Sequence, residues 1–189
     1  MKPSRWVVDL PERTKLFSDN SVSGHALRRE TRFIVIHAIG EYIDTGKPGE
    51  GSQYCVDFLR ARNELPHYFL TPSGIVLRAW HHSRLANHAR GYNSSSIGIE
   101  LMLPGHWTYE TFAQELTAPV PEHRLEDVPR RLDSLYKLIG ELLALYPQAR
   151  IVGHCELDPT RKVDPGQYVM LSSLRTKFKQ PRWEGEGGK

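Results

Sequence analysis

No stretch of the chain comes near the ~20 consecutive apolar residues that a membrane span needs, so no part of it reads as a transmembrane helix. The N-terminus has a basic start at Lys2 and Arg5 but no apolar stretch long enough for a secretory signal. On that reading the protein is cytoplasmic as synthesised, unless other machinery releases it. Cysteine is scarce: Cys55 and Cys155 are the only two, which builds no disulfide framework and suits a reducing compartment. Excess charge is lacking too. With 25 Lys+Arg against 22 Asp+Glu the net charge is +3, without the dense basic clusters of a nucleic-acid binder. Repeats and low-complexity blocks are absent. What is left is a chain of 189 residues, 39% hydrophobic and 25% charged, the profile of a soluble globular protein with one substantial core, expected to be a monomer.

The apolar runs place the elements. Phe33-Ile34-Val35-Ile36 is four apolar residues in a row, the pattern of a strand buried on both faces, with His37 at its end. Ser52 to Arg62 reads as a helix with Val56, Leu59 and Phe58 inward. The β-prone runs 66–70 and 75–80 flank Thr71-Pro72-Ser73-Gly74 and read as a hairpin. From Ser96 to Met102 the residues alternate, with Ile97, Ile99 and Leu101 on one face and Ser96, Gly98, Glu100 and Met102 on the other. Residues 104–128 read as a long connection whose Trp107, Tyr109 and Phe112 are candidates for a substrate lid. Leu132, Leu135, Leu138, Ile139, Leu142 and Leu143 fall at helical spacing and predict the strongest helix, starting near Glu126. Ile151-Val152 reads as the end of a buried strand with His154 at its tip, and a last short helix is expected from Tyr168 to Phe178. The predicted organisation is an N-terminal arm (1–30), one α/β domain (31–179) and a disordered tail (180–189).

The chemistry concentrates between Ile151 and Gly166. Lys162 and Asp164 sit two apart in a stretch that Pro165 pushes toward extended geometry, so both point the same way. With His37 and His154, Asp164 offers a possible set of two imidazoles and one carboxylate. Zinc favours such tetrahedral N/O ligation, leaving the fourth position for a water whose pKa it lowers to roughly neutral. Nine histidines also produce triples by chance, so spacing alone leaves a surface or core-edge role open. Glu100 reads as a general base or as a strand carboxylate paired with an arginine. Lys162 reads as an oxyanion stabiliser or a solvated loop lysine, and His67 as a substrate contact or a satisfied structural histidine. His81, His82, His106 and His123 read as exposed loop residues, and Cys155 as a buried structural thiol turned away from His154.

Five pieces resemble the zinc-dependent N-acetylmuramoyl-L-alanine amidases of the amidase type 2 family. They are Phe33–His37, Pro66–Leu70 with Ser73-Gly74 behind it, Asn87–Ala89, Ser96–Leu101, and Val152–His154 through Lys162–Gly166. Each piece is a weak motif, but they come in the family's order across about residues 31–178. That family takes in cytosolic anhydromuropeptide amidases, phage endolysins and peptidoglycan recognition proteins. The resemblance implies a mixed central β-sheet flanked by helices, with a zinc cleft at one side. It implies Zn2+ held by His37, His154 and Asp164, catalysis by Glu100 and Lys162, and a substrate groove that includes His67 and His88. The implied reaction is hydrolysis of the amide between N-acetylmuramic acid and L-alanine in peptidoglycan or a muropeptide.

Two departures lie beside the groove. Ala38-Ile39 stands where the family usually has a histidine or asparagine followed by a hydroxyl residue, and Asn87 where it usually has tryptophan. They lean away from the recycling pattern and toward an endolysin-like role at the wall. The alternative reading is a catalytically inactive peptidoglycan-binding module. Such modules typically lose a zinc ligand, and all three candidate ligands are present here.

Overall fold

A strand pattern of period two decides where the site falls. The computed structural model describes residues 7–9, 30–42, 52–104, 108–119 and 128–185. Within them, β1 (Val7–Asp9), β2 (Phe33–Tyr42), β3 (Tyr68–Leu70), β4 (Val76–Arg78), β5 (Ser96–Pro104) and β6 (Arg150–Gly153) form one six-stranded sheet. Its order is β1-β4-β3-β5-β2-β6, parallel throughout except for the antiparallel β3–β4 hairpin. The helices are α1 (Ser52–Ala61), α2 (Tyr109–Thr117), α3 (Val128–Leu145), the single-turn α4 (His154–Leu157) and α5 (Leu171–Lys177). The class is α/β with a mixed sheet, as expected.

Odd and even residues of β2 and β5 go to opposite faces. Ile34 and Ile36, with Ile97, Ile99 and Leu101, join the main core, where Leu135, Leu138, Ile139 and Leu142 of α3 cover them. Each such buried aliphatic side chain stabilises the fold by about 2 kcal/mol. On the other face two smaller clusters leave a gap. One holds Phe33, Val35 and Val152; the other holds Ile39, Phe69, Leu77 and Met102 under Cys55, Val56 and Leu59 of α1. Between them, on the same face by alternation, come His37 on β2 and Gly98 and Glu100 on β5. The sheet therefore presents polar groups in a slot walled by apolar ones.

Several expectations change. β2 does not end at His37, because β5 continues to pair with it through His37↔Glu100 and Ile39↔Met102 before the register breaks ahead of Tyr42. His154 is not a strand tip: β6 stops at Gly153, and His154 opens α4. The Glu156 carboxylate, held by Arg175, accepts from the Gly153 N–H at 2.8 Å and turns the chain into that helix. The connection 104–128 contains α2, with the Thr108 hydroxyl accepting from the Thr111 N–H at its start. Residues 7–9 of the expected arm are an edge strand on β4. In the expected tail, Trp183 packs edge-on against Phe33 with ring centroids 5.1 Å apart, and the Gln180 side chain bonds the backbone of Ala149 and Ile151. Residues 186–189, with Trp107, His106 and His123, lie outside the described residues. No described helix is long and apolar enough to cross a membrane.

Candidate active site

The pairing Ile36↔Gly153 is the last between β2 and β6, so the next residues, His37 and His154, sit side by side where the two strands part. Asp164 reaches the same point from the loop after α4, and the N–H of Cys155 donates to its carbonyl at 2.9 Å. His37 Nδ1 and His154 Nδ1 are 3.0 Å apart, and Asp164 Oδ2 lies 3.2 Å from the first and 3.1 Å from the second. All three residues are less than a tenth exposed. Among the described residues this is where three metal-ligating side chains converge.

The donor set fits a tetrahedral cation. Ligand bonds of about 2.0–2.1 Å set tetrahedral donor atoms about 3.3 Å apart, close to the spacing of these three atoms. The protonation states agree with that use. Burial, reinforced by the neighbouring His154, pulls His37 down from 6.5 to about 4, so its ring is neutral at physiological pH. Burial pushes the Asp164 carboxyl up, but the His154 and His37 rings beside it outweigh that and hold it well below the usual range.

Above this triad opens a cavity of about 460 Å³ lined by His37, His88, Glu100, His154, Lys162 and Asp164. Its apolar wall comes from Ile39, Phe58, Leu59, Val163, Phe112 and Leu116. Glu100 is 7% exposed. Burial, and then the charge of Asp164, push its carboxyl well above the usual carboxylate range, while Lys162 pulls the other way. No cation among the described residues forms an ion pair with it; Lys162 and Arg62 are the cations that share its cavity.

Lys162 and Asp164 thus face one space, as their spacing of two predicted. His88 lines the cavity and stands behind His37, with its Nδ1 3.0 Å from His37 Nε2. His67 is not among the lining residues. It is fully buried, its Nδ1 accepts from the Gly98 N–H at 3.0 Å, and its Nε2–H donates to the Arg84 carbonyl at 2.9 Å. That position ties His67 between β5 and the loop before it, which carries Arg84. His82 is half-buried and bonds the Tyr146 hydroxyl at 2.7 Å, so it is not the free loop residue expected. Cys155 is half-buried and outside the ligand set, with its thiol pushed up by burial and by Glu156. Ala113 and Leu116, which line the cavity from α2, were not expected from the sequence. The spacing Phe112–Leu116 after a Thr108 cap was the available signal.

Over residues 27–167 the chain matches the N-acetylmuramoyl-L-alanine amidase family, and it belongs to that family. It is 50% identical over 49 residues to the 1,6-anhydro-N-acetylmuramyl-L-alanine amidase AmpD of Haemophilus influenzae, a match that spans 22% of this chain and only 27% of that protein. Among solved structures, the Ph2119 endolysin of a Thermus scotoductus bacteriophage has the same fold, with a TM-score of 0.62 and 20% identity over 91% of this chain and 98% of that one. A Drosophila peptidoglycan recognition protein, PGRP-LB in complex with tracheal cytotoxin, aligns with a TM-score of 0.57 and 16% identity, covering 90% and 93% of the two chains.

Proposed function

We propose that the chain is a zinc-dependent N-acetylmuramoyl-L-alanine amidase, cutting the amide between the lactyl group of N-acetylmuramic acid and L-alanine of the stem peptide. The observation that carries this reading is the meeting of His37, His154 and Asp164 within 3.2 Å at the floor of a cavity that also holds Glu100 and Lys162. Zinc bound there supplies a Lewis acid and a water acidic enough to act as nucleophile near neutral pH.

The remaining steps belong to side chains. Glu100, as carboxylate, takes the proton of the attacking water as oxygen adds to the lactyl carbonyl carbon. Its raised affinity for protons lets it hold that proton and then pass it to the alanine nitrogen as the C–N bond breaks. Lys162 offers an N–H to the oxygen that gains negative charge in the tetrahedral state. The apolar wall of Phe58, Phe112 and Leu116 excludes water beside the scissile bond, which strengthens each of these charge interactions.

A digest of intact sacculi and of a soluble anhydromuropeptide, with products identified by mass, tests the assignment. Free stem peptides from either substrate are the expected result. Release from sacculi places the protein at the wall, and cleavage of the soluble substrate alone assigns it to recycling. Binding of both without cleavage, at one zinc per chain, contradicts the enzyme reading and leaves the binding module, a reading that the shared fold with PGRP-LB leaves possible.

A further inference from the structure

We infer that His88 is a positioning residue for the metal centre: together with Ser96 and the Tyr92 carbonyl, it determines which ring nitrogen of His37 is left bare. The chain of contacts runs His37 Nε2 to His88 Nδ1 at 3.0 Å, His88 Nε2 to Ser96 Oγ at 3.1 Å, and Ser96 Oγ to the Tyr92 carbonyl at 2.7 Å. A carbonyl oxygen only accepts. The Ser96 hydroxyl therefore donates to Tyr92, and its oxygen accepts from His88 Nε2–H. That leaves His88 Nδ1 as an acceptor, which takes the proton of His37 Nε2–H. His37 Nδ1 is then bare, and it is the nitrogen that lies 3.2 Å from Asp164 Oδ2 and 3.0 Å from His154 Nδ1. One backbone carbonyl at the far end fixes the tautomer at the near end.

The relay is built rather than incidental. Ser96 is fully buried on β5. The Asn93 side chain accepts from the backbone N–H groups of His88 and Ala89 at 3.0 and 2.7 Å, holding the loop in place. Gly98 makes the room: a Cβ there would lie 2.6 Å from the His88 ring. The His88 ring meets His37 edge-on, with an interplanar angle of 89°. Hydrogen bonds of this outer kind fix a ligating histidine's tautomer and orientation, and losing one typically weakens metal binding 10–100-fold.

The inference rests on the ligand set proposed above, but its test needs no turnover, so it fails separately from the amidase reading. Zinc affinity is measured by chelator competition on the full-length, metal-stripped chain. His88→Leu should weaken binding about 10–100-fold. His88→Gln should restore most of it, because its amide oxygen accepts from His37 and its amide NH2 donates to Ser96. Unchanged affinity in a folded His88→Leu protein overturns the inference. Nitrogen NMR of the histidines in the metal-free wild-type chain is an independent test that no variant's folding affects. Protons on Nε2 of both His37 and His88 are expected, and a proton on Nδ1 of either one overturns the relay.

Discussion

Glu100 is a carboxylate on a central strand, 7% exposed, held well above its usual pKa by burial and by Asp164. A purely structural role would call for a paired cation, and none among the described residues pairs with it. Its place in the cavity beside His37, its direct partner across β2 and β5, fits proton transfer instead. Replacing it by glutamine keeps the shape and removes the titrating group. Glu100→Gln should lower kcat by about 10²–10⁴-fold while zinc content stays at that of the wild type. Turnover within a factor of a few of wild type would remove Glu100 from the mechanism, and loss of zinc would make it a structural support for the centre.

At the scale of elements, α2 depends on one close approach. Gly166, at φ +61°, lets the loop after Asp164 pass under α2, and a Cβ there would lie 2.3 Å from the Leu116 carbonyl oxygen. The Gln167 side chain ties the same junction to the Thr117 carbonyl at 2.7 Å. Gly166→Ala should therefore cost about 1–3 kcal/mol in urea unfolding and raise KM by moving Phe112 and Leu116 off the cavity. Gly91 is the control: its φ is +85° but nothing lies within 4 Å of an added Cβ, so only the backbone term applies. Equal losses for the two alanine variants would mean that the docking of α2 adds nothing.

Much of this was legible in the sequence because it is periodic. Alternation alone sorts Ile97, Ile99 and Leu101 from Gly98, Glu100 and Met102, and the helical spacing of Leu135 to Leu142 marks α3. What was not legible depends on partners distant in the chain. The continuation of β2 past Gly40 is supplied by β5, and the strand character of Val7–Asp9 by Val76–Arg78. The turn of His154 into a helix depends on Glu156, which Arg175 holds from α5. Likewise, the separation of His67 from His88, one locked between backbone groups and the other behind a ligand, follows from which carbonyls surround each ring.

At the scale of the molecule, the proposed metal centre is a weakness when no metal is bound. His37 is buried with its pKa pulled down from 6.5 to about 4, so the unfolded chain binds more protons than the folded one between those values. Stability from this group is intact above pH 6.5 and is lost as the pH falls toward 4, by an amount on the order of 3 kcal/mol. Zinc at the proposed site would oppose the loss, because it would bind the folded state's deprotonated ligands. Urea unfolding of metal-free protein should show a midpoint that drops steeply across this window, and saturating zinc should flatten the upper part of the curve. A midpoint independent of pH between 6.5 and 4 in the metal-free chain would show that His37 is not buried neutral.

The most direct test of the central claim is to titrate zinc back into metal-stripped protein while following amide cleavage of a muropeptide by mass. The account predicts no turnover without metal, a linear rise to a plateau at one zinc per chain, and no rise for His154→Ala. Turnover by the stripped protein, or turnover in the wild type that ignores added zinc, would contradict it.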